Sequence, residues 1–280
     1  MQFSSATVFC SLSRFPVVLL YFQFFKQCQN LSSLSAVMER WEGKVALVTG
    51  ASAGIGAQIV KDLVKYGMKV VGVARRLEKL KELEKELKDC KGLLKGIKCD
   101  ITSENEIKNV FAWIEQNWGE VNVLVNNAAA LTLQPLAECD TQAIKAMFDT
   151  NVIGLSIFAR ECINSMKSHS NECHIININS YVGHLIFGVR GMAPYCATKN
   201  AVTVLTESLR RELGVNNQSI KVTSLSPGLV DTEMTGMVIP NGQPQLKPKD
   251  VSETLIYCLS TPPGINITEL TVMKIGDVIY

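Results

Sequence analysis

Tyr195 and Lys199 stand four residues apart in the stretch APYCATKN, and Ser180 directly follows CHIININ, Cys173 to Asn179, a short run that reads as a strand. Residues four apart share one face of a helix, so a helix beginning near Ala193 turns the phenol and the ammonium into the same space. A free tyrosine has a pKa of about 10, poorly suited to proton exchange near neutrality. A lysine one turn away is expected to stabilise the phenolate and lower that pKa toward an acid/base role. Ser180, delivered by the preceding strand end, can hold a substrate oxygen beside the phenol. Alone, the pair also describes an ordinary solvated helix face, so the residues before it decide.

A second group of residues points to a nucleotide. Gly50, Ser52, Gly54, Ile55 and Gly56 lie in GASAGIG, between the strand-like VALVT and a helical pattern from Gly54 to Tyr66. The glycine spacing is G-x-x-x-G-x-G rather than G-x-G-x-x-G, but the strand–turn–helix context is the one such a motif requires. Glycines permit the turn and let a pyrophosphate approach the N–H groups at the positive end of the helix. The next strand ends in Ala74-Arg75-Arg76, where an NAD site would place a carboxylate for the ribose hydroxyls. Arg75 and Arg76 suit a 2′-phosphate instead, so NADP(H) is the expected cofactor.

The elements that must position these groups alternate from Lys44 onward. Strands are expected at Val45 to Thr49, Met68 to Ala74, Leu94 to Cys99, Val121 to Val125, Cys173 to Asn179, Ile220 to Leu225 and Leu270 to Lys274. Helices are expected from Gly54, through the charged stretch after Arg75, over residues 104–117 with Ser103 and Glu106 as a capping box, over one long region from Glu138 to Lys167, and from Ala193 to Leu213 and Pro248 to Leu259. This alternation specifies right-handed crossovers and a single doubly wound α/β domain with a parallel sheet of about seven strands. Its expected extent is Met38 to Tyr280.

Composition excludes several classes. The 280 residues are 47% hydrophobic and 19% charged with net charge +2, and no basic cluster suggests nucleic acid. Nine cysteines are scattered without CxxC or metal-ligand spacing, so free thiols in a reducing compartment are expected and no metal. Met1 to Val37 lacks acidic residues and holds an apolar run, Phe15 to Phe25, short for a membrane span. Three readings stand for this extension: a dispensable upstream segment, a targeting signal through which alone the chain would touch a membrane, or a folded part of the core. Cytoplasmic location is the expectation.

Together these motifs resemble the short-chain dehydrogenase/reductase family over Met38 to Tyr280. TGASAGIG is similar to the family's cofactor turn, and Asp100 to the acid that meets the adenine. Asn126-Asn127-Ala128 is similar to a segment beside the cofactor, Asn151 to the helical asparagine that organises a proton-relay water, and Ser180, Tyr195 and Lys199 to the remaining catalytic residues. Of these, the resemblance implies that Tyr195 and Lys199 also contact the cofactor, Lys199 at the nicotinamide ribose. Pro227, Gly228 and Thr232 match the segment that closes over the nicotinamide. The resemblance implies reversible hydride transfer between NADP(H) and an alcohol/carbonyl pair, and a homodimer or homotetramer built on the helices around 138–167 and 193–213. One departure is Ala129, where the family has glycine; if that position needs positive φ, alanine costs about 1 kcal/mol or more. A non-catalytic NADP-binding or regulatory protein is the alternative it motivates. Leu185, Ile186, Phe187 and Val189 on one loop and Met234, Met237, Val238 and Ile239 on another would make an apolar wall for a small lipophilic alcohol or carbonyl. The resemblance narrows this substrate to an isoprenoid such as farnesol or a ketosteroid, with small dicarbonyls also open. His184 is expected to bond to backbone rather than to substrate.

Overall fold

The computed structural model describes residues 37–166, 172–185, 190–215, 220–236 and 243–276. The chain divides between Val37 and Met38, and the sheet and helices lie on the Met38 side. Seven parallel strands form one sheet in the order β3-β2-β1-β4-β5-β6-β7. They are β1 (Val45–Thr49), β2 (Lys69–Ala74), β3 (Leu93–Lys98), β4 (Val123–Asn126), β5 (Cys173–Ile178), β6 (Ile220–Pro227) and β7 (Glu269–Val272). Every residue of β1, β4 and β5 is buried, as expected of strands covered on both faces, and this includes the polar Asn126, His174 and Asn177. The strand order reverses between β1 and β4, and their carboxyl ends therefore open the crevice where such sheets bind ligands.

Eight helices cover the sheet among the described residues: α1 (Gly54–Lys65), α2 (Leu77–Glu86), α3 (Glu104–Asn117), α4 (Thr141–Phe148), α5 (Leu155–Met166), α6 (Ala193–Val215), the single turn α7 (Glu233–Gly236) and α8 (Pro248–Ser260). α1 stops where its sequence says it should, with Gly67 at φ +87° just beyond Tyr66. It is tied to α8 by a buried carboxylate: Ser252 Oγ donates to Asp62 Oδ2 at 2.6 Å and Lys249 Nζ to Asp62 Oδ1 at 2.9 Å. Burial opposes that charge, but bonds from Ser252, Gln58 and Lys249 outweigh it and hold the Asp62 carboxyl below its usual range.

One expectation is refined and one corrected. The long helical region expected from Glu138 begins at Thr141 and runs unbroken to Met166, but its middle, Asp149–Gly154, is π-helical and joins α4 to α5, while Lys167 lies outside the described residues. Gly154 closes the π-helical segment where the backbone packs tightly, for a Cβ there would lie 2.5 Å from the Ile101 carbonyl oxygen. The capping box at α3 is half formed. Glu106 N donates to Ser103 Oγ at 3.4 Å, but the Glu106 carboxylate accepts from Asp100 N at 2.8 Å instead of returning to Ser103.

Candidate active site

Ser180 follows β5 in extended conformation and starts the 3₁₀ turn Tyr181–Gly183, its Oγ accepting from Val182 N at 3.4 Å. That turn is seated on α6: Asn200 Nδ2 and Thr203 Oγ1 both donate to the Gly183 carbonyl, at 3.1 and 3.0 Å. A Cβ on Gly183 would lie 2.8 Å from the Lys199 carbonyl oxygen, so glycine is what lets the serine loop approach the helix. Tyr195 and Lys199 lie one turn apart on α6, both buried, with Lys199 Nζ 5.9 Å from the Tyr195 ring centroid.

The electrostatics differ from the expectation that Lys199 lowers the phenol's pKa. Burial pushes the Tyr195 phenol up, with Cys196 and Tyr181 adding to it. Lys199 is desolvated in turn, which brings its pKa down to about 8, and its ammonium donates to the Ile178 carbonyl at 2.9 Å. Helical spacing gives the proximity of the two groups but not their solvation. In this arrangement the ammonium is aimed at the end of β5.

Asn151 sits in the π-helical turn, fully buried. Its Oδ1 accepts from Ala130 N at 2.7 Å, and its Nδ2 donates to Ala130 O at 2.9 Å and to Thr198 Oγ1 at 3.0 Å. Thr198 Oγ1 then donates to the Tyr195 carbonyl at 2.7 Å. One side chain thus fastens the segment after β4 to the helix carrying Tyr195 and Lys199. Thr198 was not among the residues expected from the sequence. Its position between Tyr195 and Lys199 was visible, but a contact made by a residue 47 positions away was not.

The glycine turn opens at the β1/β4 crevice. Gly50 and Gly54 have φ of +67° and +54°, and a Cβ on Gly56 would come within 2.4 Å of Gly50 O. Ala53, at the N-cap of α1, provides no side-chain cap, which leaves the first-turn N–H groups of Gly54, Ile55 and Gly56 to an anion. This cradle fits a pyrophosphate. Thr49, part of the cofactor-turn stretch but given no role of its own from the sequence, holds its far wall, with Asn127 N and Ala128 N donating to Thr49 Oγ1 at 2.9 and 3.0 Å. Asn127 Nδ2 donates to Thr49 O at 2.8 Å. Ala129 is therefore bracketed by Ala128, held by Thr49, and Ala130, held by Asn151.

At the end of β2, Arg76 Nε donates to Ser52 Oγ at 3.3 Å, placing a cation beside the turn, and Arg75 is exposed next to it. Asp100 at the end of β3 accepts from Thr102 N at 3.0 Å and Thr102 Oγ1 at 2.8 Å. Those bonds, with Arg75, hold its carboxyl below the usual range despite partial burial. Gly228 N continues the sheet by donating to Val272 O at 2.8 Å, after buried Pro227. Thr232 then reaches the glycine turn, its Cγ2 3.2 Å from where a Cβ on Gly54 would be.

Residues 44–241 match the short chain dehydrogenase family. The chain belongs to the short-chain dehydrogenase/reductase family. It is 45% identical to a farnesol dehydrogenase of Aedes aegypti over 243 residues, covering 86% of this chain and 99% of that protein. It is 40% identical to human dehydrogenase/reductase SDR family member 11 over 247 residues, covering 83% and 95%. Among solved structures, the closed form of a serine dehydrogenase complexed with NADP⁺ matches with a TM-score of 0.76 at 32% identity, covering 84% of this chain and 96% of that one.

As a short-chain dehydrogenase/reductase, the protein gathers most of its expected site residues along the carboxyl ends of β1, β2, β4, β5 and β6. The apolar wall is only partly placed. Leu185 is exposed and Met234 half-buried, while Ile186, Phe187, Val189, Met237, Val238 and Ile239 lie outside the described residues. His184 corrects its expectation, for its Nε2 meets two side chains, Ser226 Oγ at 2.9 Å and Glu269 Oε1 at 3.1 Å, rather than backbone. The pairing of Ser224 with Glu269 across β6 and β7 brings the carboxylate there, a long-range register that a loop histidine's local sequence does not reveal.

Proposed function

We propose that the protein is an NADP(H)-dependent oxidoreductase acting on a lipophilic alcohol/carbonyl pair, an isoprenoid such as farnesol or a ketosteroid. NADP(H), when bound, supplies or accepts the hydride. Gly50, Gly54, Ile55 and Gly56 would hold its pyrophosphate, Arg76 with Ser52 its 2′-phosphate side, and Asp100 its adenine end. In the reductive direction Tyr195 donates its phenolic proton to the substrate oxygen, and Ser180 Oγ orients and polarises that oxygen. The charge of Lys199 offsets the phenolate that remains. Asn151 keeps the Ala130 segment and α6 in register, so that the crevice wall and the proton donor move as one. The observation that carries this reading is the convergence of Ser180, Tyr195 and Lys199 at the end of β5, with Lys199 bonded to Ile178 O and the serine turn bonded to α6.

The lipophilic substrate class is supported by the similarity to the mosquito farnesol dehydrogenase and by the apolar residues that the sequence places beyond β5 and β6. The test is NADPH consumption and NADP⁺ reduction over a panel of isoprenoid, steroid, sugar and short polar compounds. The highest kcat/KM is expected for an isoprenoid or steroid. A sugar turned over better than every lipophilic compound would overturn the substrate class.

A further inference from the structure

Arg76, the cation assigned above to the cofactor's 2′-phosphate, already has an anionic partner. Its Nη1 lies 2.8 Å from Glu233 Oε2, while Nε donates to Ser52 Oγ at 3.3 Å. Glu233 opens α7, directly after Thr232, whose side chain rests over Gly54. A carboxylate from the segment after β6 therefore takes up one edge of the guanidinium at the mouth of the phosphate cradle. The neighbouring Arg75 is exposed, and its charge helps to hold the Asp100 carboxyl below its usual range. Both members of the Arg76–Glu233 pair are about half exposed, at 50% and 57% of their side-chain surface. Exposed pairs of this kind are weak and screened by salt, and a phosphate of higher charge can displace a carboxylate from one.

We propose that Glu233 is a specificity-determining residue that competes with the 2′-phosphate of NADP(H) for Arg76. The inference rests on the NADP(H) reading and adds a residue that opposes it. When NADP(H) binds, Arg76 exchanges Glu233 for the phosphate, or shares its donors between them, and the carboxylate stands beside a like charge. NAD(H) has no phosphate at that position and leaves the pair intact. Glu233 therefore lowers affinity for NADP(H) selectively and narrows the preference that Arg76 creates.

The test measures dissociation constants for NADPH and NADH by nicotinamide fluorescence in the full chain, with Glu233→Gln, Arg76→Ala and the double variant. Glu233→Gln is expected to tighten NADPH by about three- to fivefold at low ionic strength while changing NADH by less than about 1.5-fold. The gain should vanish near 1 M salt, where the screening length is about 3 Å. In the Arg76→Ala background it should fall below about 1.5-fold, because the competition runs through the guanidinium. Weaker or unchanged NADPH binding in Glu233→Gln would overturn the proposal, by showing that the carboxylate orients Arg76 or is idle. A different failure is separable: if Arg76→Ala alone leaves the NADPH/NADH ratio unchanged, the phosphate contact lies elsewhere and the role given to Arg76 falls with it.

Discussion

At the scale of single residues, the site sets a buried phenol against a buried ammonium, and solvation dominates both. The Lys199 pKa falls from the usual 10.5 to about 8 because burial disfavours its charge. The folded protein then binds fewer protons than the unfolded chain between about pH 8 and 10.5, so the cost to stability is full below pH 8 and is relieved as pH rises toward 10.5. Catalysis runs the other way. Reductive kcat/KM is expected to fall as pH rises through about 8, since a neutral lysine no longer supports the phenolate left on Tyr195. Lys199→Arg, which keeps its charge, should move that limb up by about one unit or more even at lower activity. A profile that stays flat from pH 7 to 10 would contradict the role of Lys199.

At the scale of elements, what the sequence could and could not show divides by the range of the interactions. The seven strands and most helices were legible because apolar runs and 3.6-residue periods are local. Gly50, Gly54 and Gly56 were legible as a turn between a strand and a helix. The π-helical turn was not, and the contacts its residues make lie far along the chain: Asn151 with Ala130 and Thr198, and Gly154 beside Ile101. The roles of Thr49 and Glu233 were not legible either, as their partners lie on other strands or after β6. Gly154→Ala makes this testable, because two local effects oppose each other. Alanine favours a helix by about 1 kcal/mol. A methyl 2.5 Å from a backbone oxygen forces displacement, typically costing about 1–3 kcal/mol. Since Ile101 O is backbone and cannot swing away, a net loss of up to about 2 kcal/mol is expected in urea unfolding. A stabilised Gly154→Ala would show that the π-helical turn does not depend on this contact.

At the scale of the whole molecule, the catalytic end of the sheet is opposed by a buried polar cluster at the amino ends of β5 and β6, around His174, Lys221 and Thr223. His174 is fully buried on β5. Thr223 Oγ1 gives its proton to Ile267 O at 2.6 Å, so the His174 Nε2–H donates to Thr223 Oγ1 at 2.7 Å, and Nδ1 has no hydrogen-bond partner among the described residues. Burial, with Lys221 and Arg40 nearby, depresses the imidazole to about pKa 3. The folded state therefore resists a proton that the unfolded chain accepts near 6.5, and this contribution to stability, present above pH 6.5, is lost as pH falls toward 3. His174→Gln, which can still donate to Thr223, should flatten the fall in Tm between pH 6.5 and 4 relative to the native chain. Equal acid sensitivity of the two proteins would remove His174 as its cause. Among the described residues no helix is long and apolar enough to cross a membrane.

The central claim is that Tyr195 passes the proton while the glycine cradle holds the cofactor, two functions carried by different residues. It is tested most directly by single-turnover hydride transfer from NADPH to the best carbonyl substrate, with NADPH affinity measured on the same samples of native protein and Tyr195→Phe. Phenylalanine keeps the ring that packs against Met147 and Val182, so the fold and the cradle should be retained. The expected result is a transfer rate lower by about 10²–10⁴-fold with NADPH affinity changed by less than about threefold. An unchanged transfer rate in Tyr195→Phe, or tight NADPH binding with no transfer by the native protein to any member of the panel, would contradict it.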